Sequence, residues 1–426
     1  MRRNVPAPGT RFLRAICLGS TLLTLGALDA GRGARAETSP SGDTSPPDGQ
    51  RDGNDQVSRG QALFIAADCA ACHLSADGRA LTGGRAFTLP FGTIHAVNIT
   101  PDRDTGIGAY SDSDWLAMLR KGVGRNGKHL YPVMPYTSYT LLSDEDALAI
   151  KAYLFTLPPL RATPPMNALS FPFNQRWTMI FWNWFNNPNR RMTPDPARSA
   201  AWNRGAYLTE ALGHCGQCHT PRNFMFGLSH RAYAGAVQVG WTAYNLTSDR
   251  EHGLGGWSDD ALFSYLSAGQ ARNHGPASGP MAEAIEHSLS RLPAQDIRDM
   301  IVYLRSVPAR ADGPAHHEGA LEPDSGFSEG RHVFQQACAG CHLENGTGRQ
   351  SDWGALGGSH SLSDPSATNL VAVLREGTSL QTDHGRMSMQ GFTAVYTPKE
   401  LSALSGWMLR HFGGVQATID PKKFRP

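Results

Sequence analysis

Six cysteines occur as three pairs with the same two-residue gap, and a histidine follows each pair at once. The copies are CAACH (Cys69, Cys72, His73), CGQCH (Cys215, Cys218, His219) and CAGCH (Cys338, Cys341, His342). Dithiol redox chemistry, zinc binding and thioether attachment of a haem all use a CxxC pair. A redox dithiol has no need of the histidine and belongs in a βαβ setting that the flanking sequence does not offer. A four-ligand zinc site requires a second pair at matching spacing, and none lies near any copy. Haem attachment accounts for every position: the thiols bond to the porphyrin vinyl groups, and the histidine sits under the ring as an iron ligand. The reading is three covalently bound haem c groups.

An iron held by one histidine needs a sixth ligand or an open face. The methionine thioether is neutral and soft, and it raises the potential by favouring the reduced iron. Met134 stands 65 residues after Cys69, and Met281 stands 66 after Cys215. That near-equality in two repeats marks both as ligands. The third repeat offers Met387 and Met389; the turn Met389-Gln390-Gly391-Phe392 and the gap to Thr397 favour Met389. The alternatives are methionines that only fill core gaps, and His129, His274, His287 or His384 as rival sixth ligands.

These residues need elements to hold them, and the elements repeat. Each motif follows a short helical stretch with an early glycine: SRGQALFIAADC, NRGAYLTEALGHC and SEGRHVFQQAC. Gly60, Gly205 and Gly330 admit close approach of another helix, with Phe64, Tyr207 and Phe334 to fill the contact. Each repeat ends in an amphipathic helix, over 143–157, 293–307 and 398–412, with acids or proline in its first turn. The first two repeats share more: Asn98, Gly106 and Gly108 align with Asn245, Gly253 and Gly255. The third has Asn369 running almost directly into a helix and lacks the glycine loop. Two crossing helices around a CxxCH resemble the small cytochrome c fold. The predicted class is mainly α, as three consecutive small cytochrome c domains with one covalently bound haem each.

The remaining chain sets the compartment and the boundaries. A basic start, the apolar AICLGSTLLTLGAL and Ala34-Arg35-Ala36 read as a cleavable secretory signal over 1–36, which places the mature chain on the periplasmic side of a bacterial inner membrane. An uncleaved signal acting as an anchor is the alternative. Cys17 leaves with the signal, and LRAI ahead of it lacks the small residue that lipidation needs. Residues 37–56 are nearly free of apolar side chains and read as a disordered lead-in. Domains are expected over 57–160, 200–310 and 326–415, with linkers at 161–199 and 311–325 and a tail at 416–426. Among 426 residues the net charge is +2, which argues against a nucleic-acid partner. No second stretch is apolar enough to span a bilayer.

The runs TLPFGTIHAVNITPDRDTGIG and LYPVMPY, the segment RGAYLTEALGHCGQCHTPRN and the third methionine turn resemble the three-haem cytochrome c subunits of bacterial membrane-bound dehydrogenases. That family serves alcohol, gluconate, fructose, sorbitol and aldehyde dehydrogenases, and the resemblance covers residues 57 to 415. It implies a catalytic partner subunit containing flavin, PQQ or molybdenum, with or without a small third subunit. It also implies ubiquinone as acceptor and peripheral contact with the membrane. Two departures stand out. The family has Met-Pro where this chain has Met389-Gln390, and many members continue into an amphipathic membrane-binding tail. The linker stretch LSFPFNQRWTMIFWNWFNNPN (169–189) is rich in rings, suited either to a membrane or partner surface or to packing between domains.

No nucleotide-binding glycine motif follows a strand, so substrate oxidation is expected on another chain. The expected role is electron transfer from that chain through the three haems to ubiquinone. A free-standing periplasmic shuttle and a multihaem peroxidase-type enzyme are the alternatives.

Overall fold

The computed structural model describes residues 48–78, 80–316, 328–349, 351–382 and 385–425. The expected signal, Cys17, the first part of the lead-in, His384 and most of the second linker lie outside them.

Helices dominate the described residues, and three pairs of them repeat. In each, a leading helix that runs to a CxxCH motif crosses a closing helix: Asp48–Ala66 on Asp144–Leu154, Ala200–Ala206 on Ala294–Arg305, and Glu329–Ala337 on Pro398–Gly413. The crossing point is the anticipated glycine. A Cβ on Gly60 would lie 1.9 Å from the Ala149 carbonyl oxygen, one on Gly205 1.9 Å from that of Asp299, and one on Gly330 2.3 Å from that of Ala403. Distances that short exclude any side chain. Ser143 and Thr397 cap two closing helices through their side chains, Thr397 reciprocally with Glu400, so those helices begin at their acidic first turns.

Rings close each crossing. Phe64 meets Tyr153 at 5.3 Å, Phe334 meets Trp407 at 4.9 Å, and Trp202 meets Tyr303 at 5.3 Å between centroids. Tyr207, expected in the middle contact, is elsewhere: its hydroxyl donates to Asp146 of the first repeat at 2.6 Å. It stands two positions after Gly205, whereas Phe64 and Phe334 stand four after their glycines, and residues two apart do not share a helix face. The fourth position is Thr209, fully buried.

Spacing differs again before the motifs. Cys338 lies eight positions after Gly330, Cys69 nine after Gly60 and Cys215 ten after Gly205. The first two repeats place a left-handed residue, Asp68 (φ 51°) or His214 (φ 39°), directly before the first cysteine. The longest also widens into a π-helical turn over Tyr207–Leu212, which takes up one extra residue.

The first leading helix starts at Asp48, inside the stretch 37–56 expected to be disordered. Once a packed turn exists, a helix propagates at little further cost, and residues 53–56 of the extension are exposed.

The first two repeats then share a hairpin and an anchored loop. Ala86–Leu89 pairs antiparallel with Gly92–His95, as Ala236–Gln238 does with Trp241–Ala243. The Asn98 amide donates to the Leu160 carbonyl at 2.8 Å while its oxygen accepts from the Thr100 N–H at 2.9 Å. Asn245 repeats this with Arg310 at 2.7 Å and Thr247 at 2.8 Å. Asn369 behaves differently: it grips the Thr242 backbone of the second repeat, accepting from its N–H at 2.7 Å and donating to its carbonyl at 3.0 Å.

One core, including Phe64, Ile150, Leu212, Ile297 and Met300, is common to the first two repeats. A separate core around Phe334, Leu401, Trp407 and Phe412 serves the third, and the tail residues Ile419 and Phe424 fold back into it. None of the described helices is long and apolar enough to cross a membrane.

Candidate functional site

The three motif histidines are held in one way. The His73 Nδ1 lies 2.7 Å from the Val97 carbonyl, the His219 Nδ1 2.6 Å from that of Tyr244, and the His342 Nδ1 2.7 Å from that of Gly354. A ring that donates from Nδ1 to a carbonyl keeps its lone pair on Nε2 and fixes its orientation, as second-shell bonds do for metal-bound histidine. Desolvation by the surrounding protein lowers the pKa of all three, against the carbonyl bond, and favours the neutral ring that can ligate. The carbonyl comes from the strand-loop segment in the first two repeats. In the third it comes from the short 3-10 turn Asp352–Gly354.

Burial also acts on the thiols. It pushes Cys72 and Cys215 up to about 12 and Cys338 to about 11, and it raises Cys69 and Cys218. Catalytic dithiols show the opposite, a depressed pKa. All six motif cysteines are free of disulfides. Nor do three His, Cys, Asp or Glu side chains converge as a metal cage among the described residues. Neutral thiols in apolar surroundings beside a ring with a free Nε2 fit a covalently held haem.

In the first repeat, Cys69, Cys72, His73 and Met134 all line one cavity of about 2810 Å³, far larger than an ordinary small-molecule pocket. Met134 therefore shares a space with His73, and His129 is not among the lining residues. Cys218 of the second repeat reaches the same cavity, while Cys215 and Met281 pack against the common core. His274 stacks on Trp257 at 3.6 Å between centroids. In the third repeat the methionines separate: Met389 packs with Cys338 in that repeat's own core, and Met387 packs against the core of the other two.

Sequence reasoning missed an arginine at each motif. Arg85 donates to the Ala71 carbonyl at 2.6 Å, Arg222 to that of Gln217 at 2.6 Å and Arg349 to that of Gly340 at 2.5 Å. Each acceptor directly precedes the second cysteine of its motif, so each arginine braces the same bond of the CxxCH turn. Asp68 was missed too: it lines the cavity, and burial and Glu283 push its carboxyl well above the usual carboxylate range.

Residues 57–158 match the family described as cytochrome c, and residues 326–408 match cytochrome C oxidase, cbb3-type, subunit III. Among known proteins, the chain is 36% identical to the fructose dehydrogenase cytochrome subunit of Gluconobacter japonicus, over 94% of this chain and 87% of that one. It is 33% identical to the gluconate 2-dehydrogenase cytochrome c subunit of Pantoea cypripedii, over 86% and 88%. A nicotinate dehydrogenase subunit of Pseudomonas putida is 37% identical over 89% of this chain, which spans 32% of that longer protein.

Proposed function

The chain belongs to the cytochrome c subunits of bacterial dehydrogenases, and from that premise we propose that it is a three-haem electron conduit from a separate catalytic subunit to ubiquinone. Residues 200–310 form the middle cytochrome c domain of three, between the two segments that match cytochrome c families. The cysteine pairs carry thioether-bound haems, and the irons take His73 and Met134, His219 and Met281, and His342 and Met389. The observation that carries this reading is the threefold placement of a motif histidine with Nδ1 on a backbone carbonyl. The bound haem supplies one-electron chemistry at iron. The chain's own residues orient the ligands, brace the CxxCH turns and exclude water. Substrate oxidation belongs to the partner, a flavin-, PQQ- or molybdenum-containing subunit, with or without a small third one. The complex sits on the periplasmic side of the inner membrane after removal of residues 1–36.

The test is capture through this chain from solubilised membranes of the native host, with haem spectra on the product. A large cofactor-bearing subunit and three low-spin haems are expected. A cytochrome that comes down alone and soluble overturns the reading in favour of a shuttle, and a high-spin resting haem in favour of a haem enzyme.

A further inference from the structure

The linker helix Thr178–Asn186 keeps only Trp182 buried. Trp184 is 79% exposed and Phe185 69%, and Trp177 and Phe181 are more than half exposed. Packing between domains therefore accounts for one ring of the helix. Phe224 of the second repeat, 92% exposed, lines the same cavity as Trp177 and Phe181. Two hydrogen bonds hold the parts together: the Trp182 Nε1 donates to the Met225 carbonyl at 2.7 Å, and the Asn223 amide to the Asn186 Oδ1 at 3.1 Å. An exposed apolar patch of this kind marks an interaction surface.

The charges around it identify the occupant. No Asp or Glu occurs from 78 to 101, 115 to 143, 147 to 194 or 211 to 248, and these four stretches supply the face and most of the cavity beneath it. Lys121, Arg125, Lys128 and Arg190 are exposed. The helix and the residues before it are tied to the segment that carries the first three: the Asn183 amide donates to the Lys121 carbonyl at 3.0 Å, and Arg176 donates to that of His129 at 2.7 Å. Three acids line the cavity: Asp68, whose carboxyl burial pushes well above the usual carboxylate range, Asp104, paired with Arg161 at 3.4 Å, and Glu376. Tryptophan and phenylalanine flanked by exposed cations are the makings of an element that lies in a bilayer interface and is drawn to anionic headgroups.

We propose that this face docks on an anionic lipid bilayer, with the helix Thr178–Asn186 lying in the plane of the headgroups. Its nine residues span about 14 Å, too short to cross. The cavity that holds Cys69, Cys72, His73 and Met134 has Trp177, Phe181 and Phe226 in its lining, so the first haem site opens on the lipid side. The proposal rests on the reading of the chain as part of a membrane-associated complex, and it adds the contact face.

The test uses the full haem-loaded chain and vesicles of phosphatidylglycerol with phosphatidylethanolamine, against vesicles of phosphatidylcholine alone. The wild type is expected to sediment with the anionic vesicles, and its tryptophan emission to be quenched by brominated lipid. The pair Trp184→Ser with Phe185→Ser should bind roughly tenfold more weakly or worse, with unchanged haem spectrum and melting. Val395→Ser, at an exposed site on the third repeat, should bind as the wild type. Undiminished vesicle binding by the double variant, or no quenching of the wild type, overturns the proposal. So does a double variant that keeps the vesicles and loses a copurifying dehydrogenase subunit, because the face would then be a protein dock. If the wild type binds vesicles through this face and captures no dehydrogenase, the face stands and the complex is what fails.

Discussion

The first two repeats are fused, and the third is attached. Between the first and second runs a common apolar core, crossed by the Tyr207 to Asp146 hydrogen bond and the Arg85 to Glu283 ion pair at 2.6 Å. Between the second and third runs a seam of polar grips and stacked rings. Asn369 holds Thr242, Tyr244 stacks on His360 at 4.2 Å, and the Gln381 N–H donates to Glu286 at 3.0 Å. Of the third repeat's apolar side chains, Leu380 enters the other core against Gly269, and Trp353 and Met387 pack against it. A shared core cannot be opened without exposing apolar surface from both sides, whereas a polar seam exchanges its bonds for water at small net cost. The pair should therefore behave as one cooperative body and the third repeat as another.

The strongest way to break this contrast is to remove a haem. Replacing Cys215 and Cys218 by alanine should lower the haem count of the chain by more than one, because the common core loses its filling. Replacing Cys338 and Cys341 should lower it by one. Mass spectrometry of the intact chain reads both, and equal losses would erase the distinction. Next in size, Gly205→Val drives a branched side chain into the Asp299 carbonyl at a cost of about 3 kcal/mol or more. It should lower one calorimetric transition that contains both haem units. Gly330→Val should lower only the other.

Smaller effects sharpen the seam itself. Asn369→Ala removes two bonds to Thr242 and should cost about 1–3 kcal/mol, moving the third repeat's transition away from that of the pair with haem spectra unchanged. Acid should act at the same place. Burial pushes His274 and His360 down to about 4 from the ordinary 6.5. As pH falls, the unfolded chain takes up their protons before the folded one does. The stability they favour is complete above 6.5 and is lost progressively towards 4. The midpoint of the third repeat's transition should fall over that window, and a flat profile would remove these rings from the seam.

The CxxCH motifs were legible because they are contiguous strings, and each of their histidines meets a backbone carbonyl; Met134 and Met281 are proposed from nearly equal counts, 65 and 66 residues from their first cysteines. The crossing glycines were legible because backbone contact leaves no substitute. The bracing arginines were not. Arg85, Arg222 and Arg349 stand 13, 4 and 8 positions after their second cysteines, so no alignment lines them up, and they converge only in space. Asn369 looked like a partner of Asn98 and Asn245, but it stands inside the helix Thr368–Glu376, and its amide donates to Thr242 of the second repeat rather than to a carbonyl after its own closing helix. Tyr207 was placed by resemblance of its ring rather than by its count from the glycine.

The wide turn over Tyr207–Leu212 acts as a register buffer. An extra residue in a regular helix would rotate everything beyond it by about 100°, and the second motif would face the wrong way. Here the surplus is confined to a single turn, and His219 still reaches its carbonyl. The three leading segments differ in length by single residues, and each still delivers its histidine to a backbone carbonyl, so the fold tolerates a miscount before the motif as long as one local turn absorbs it.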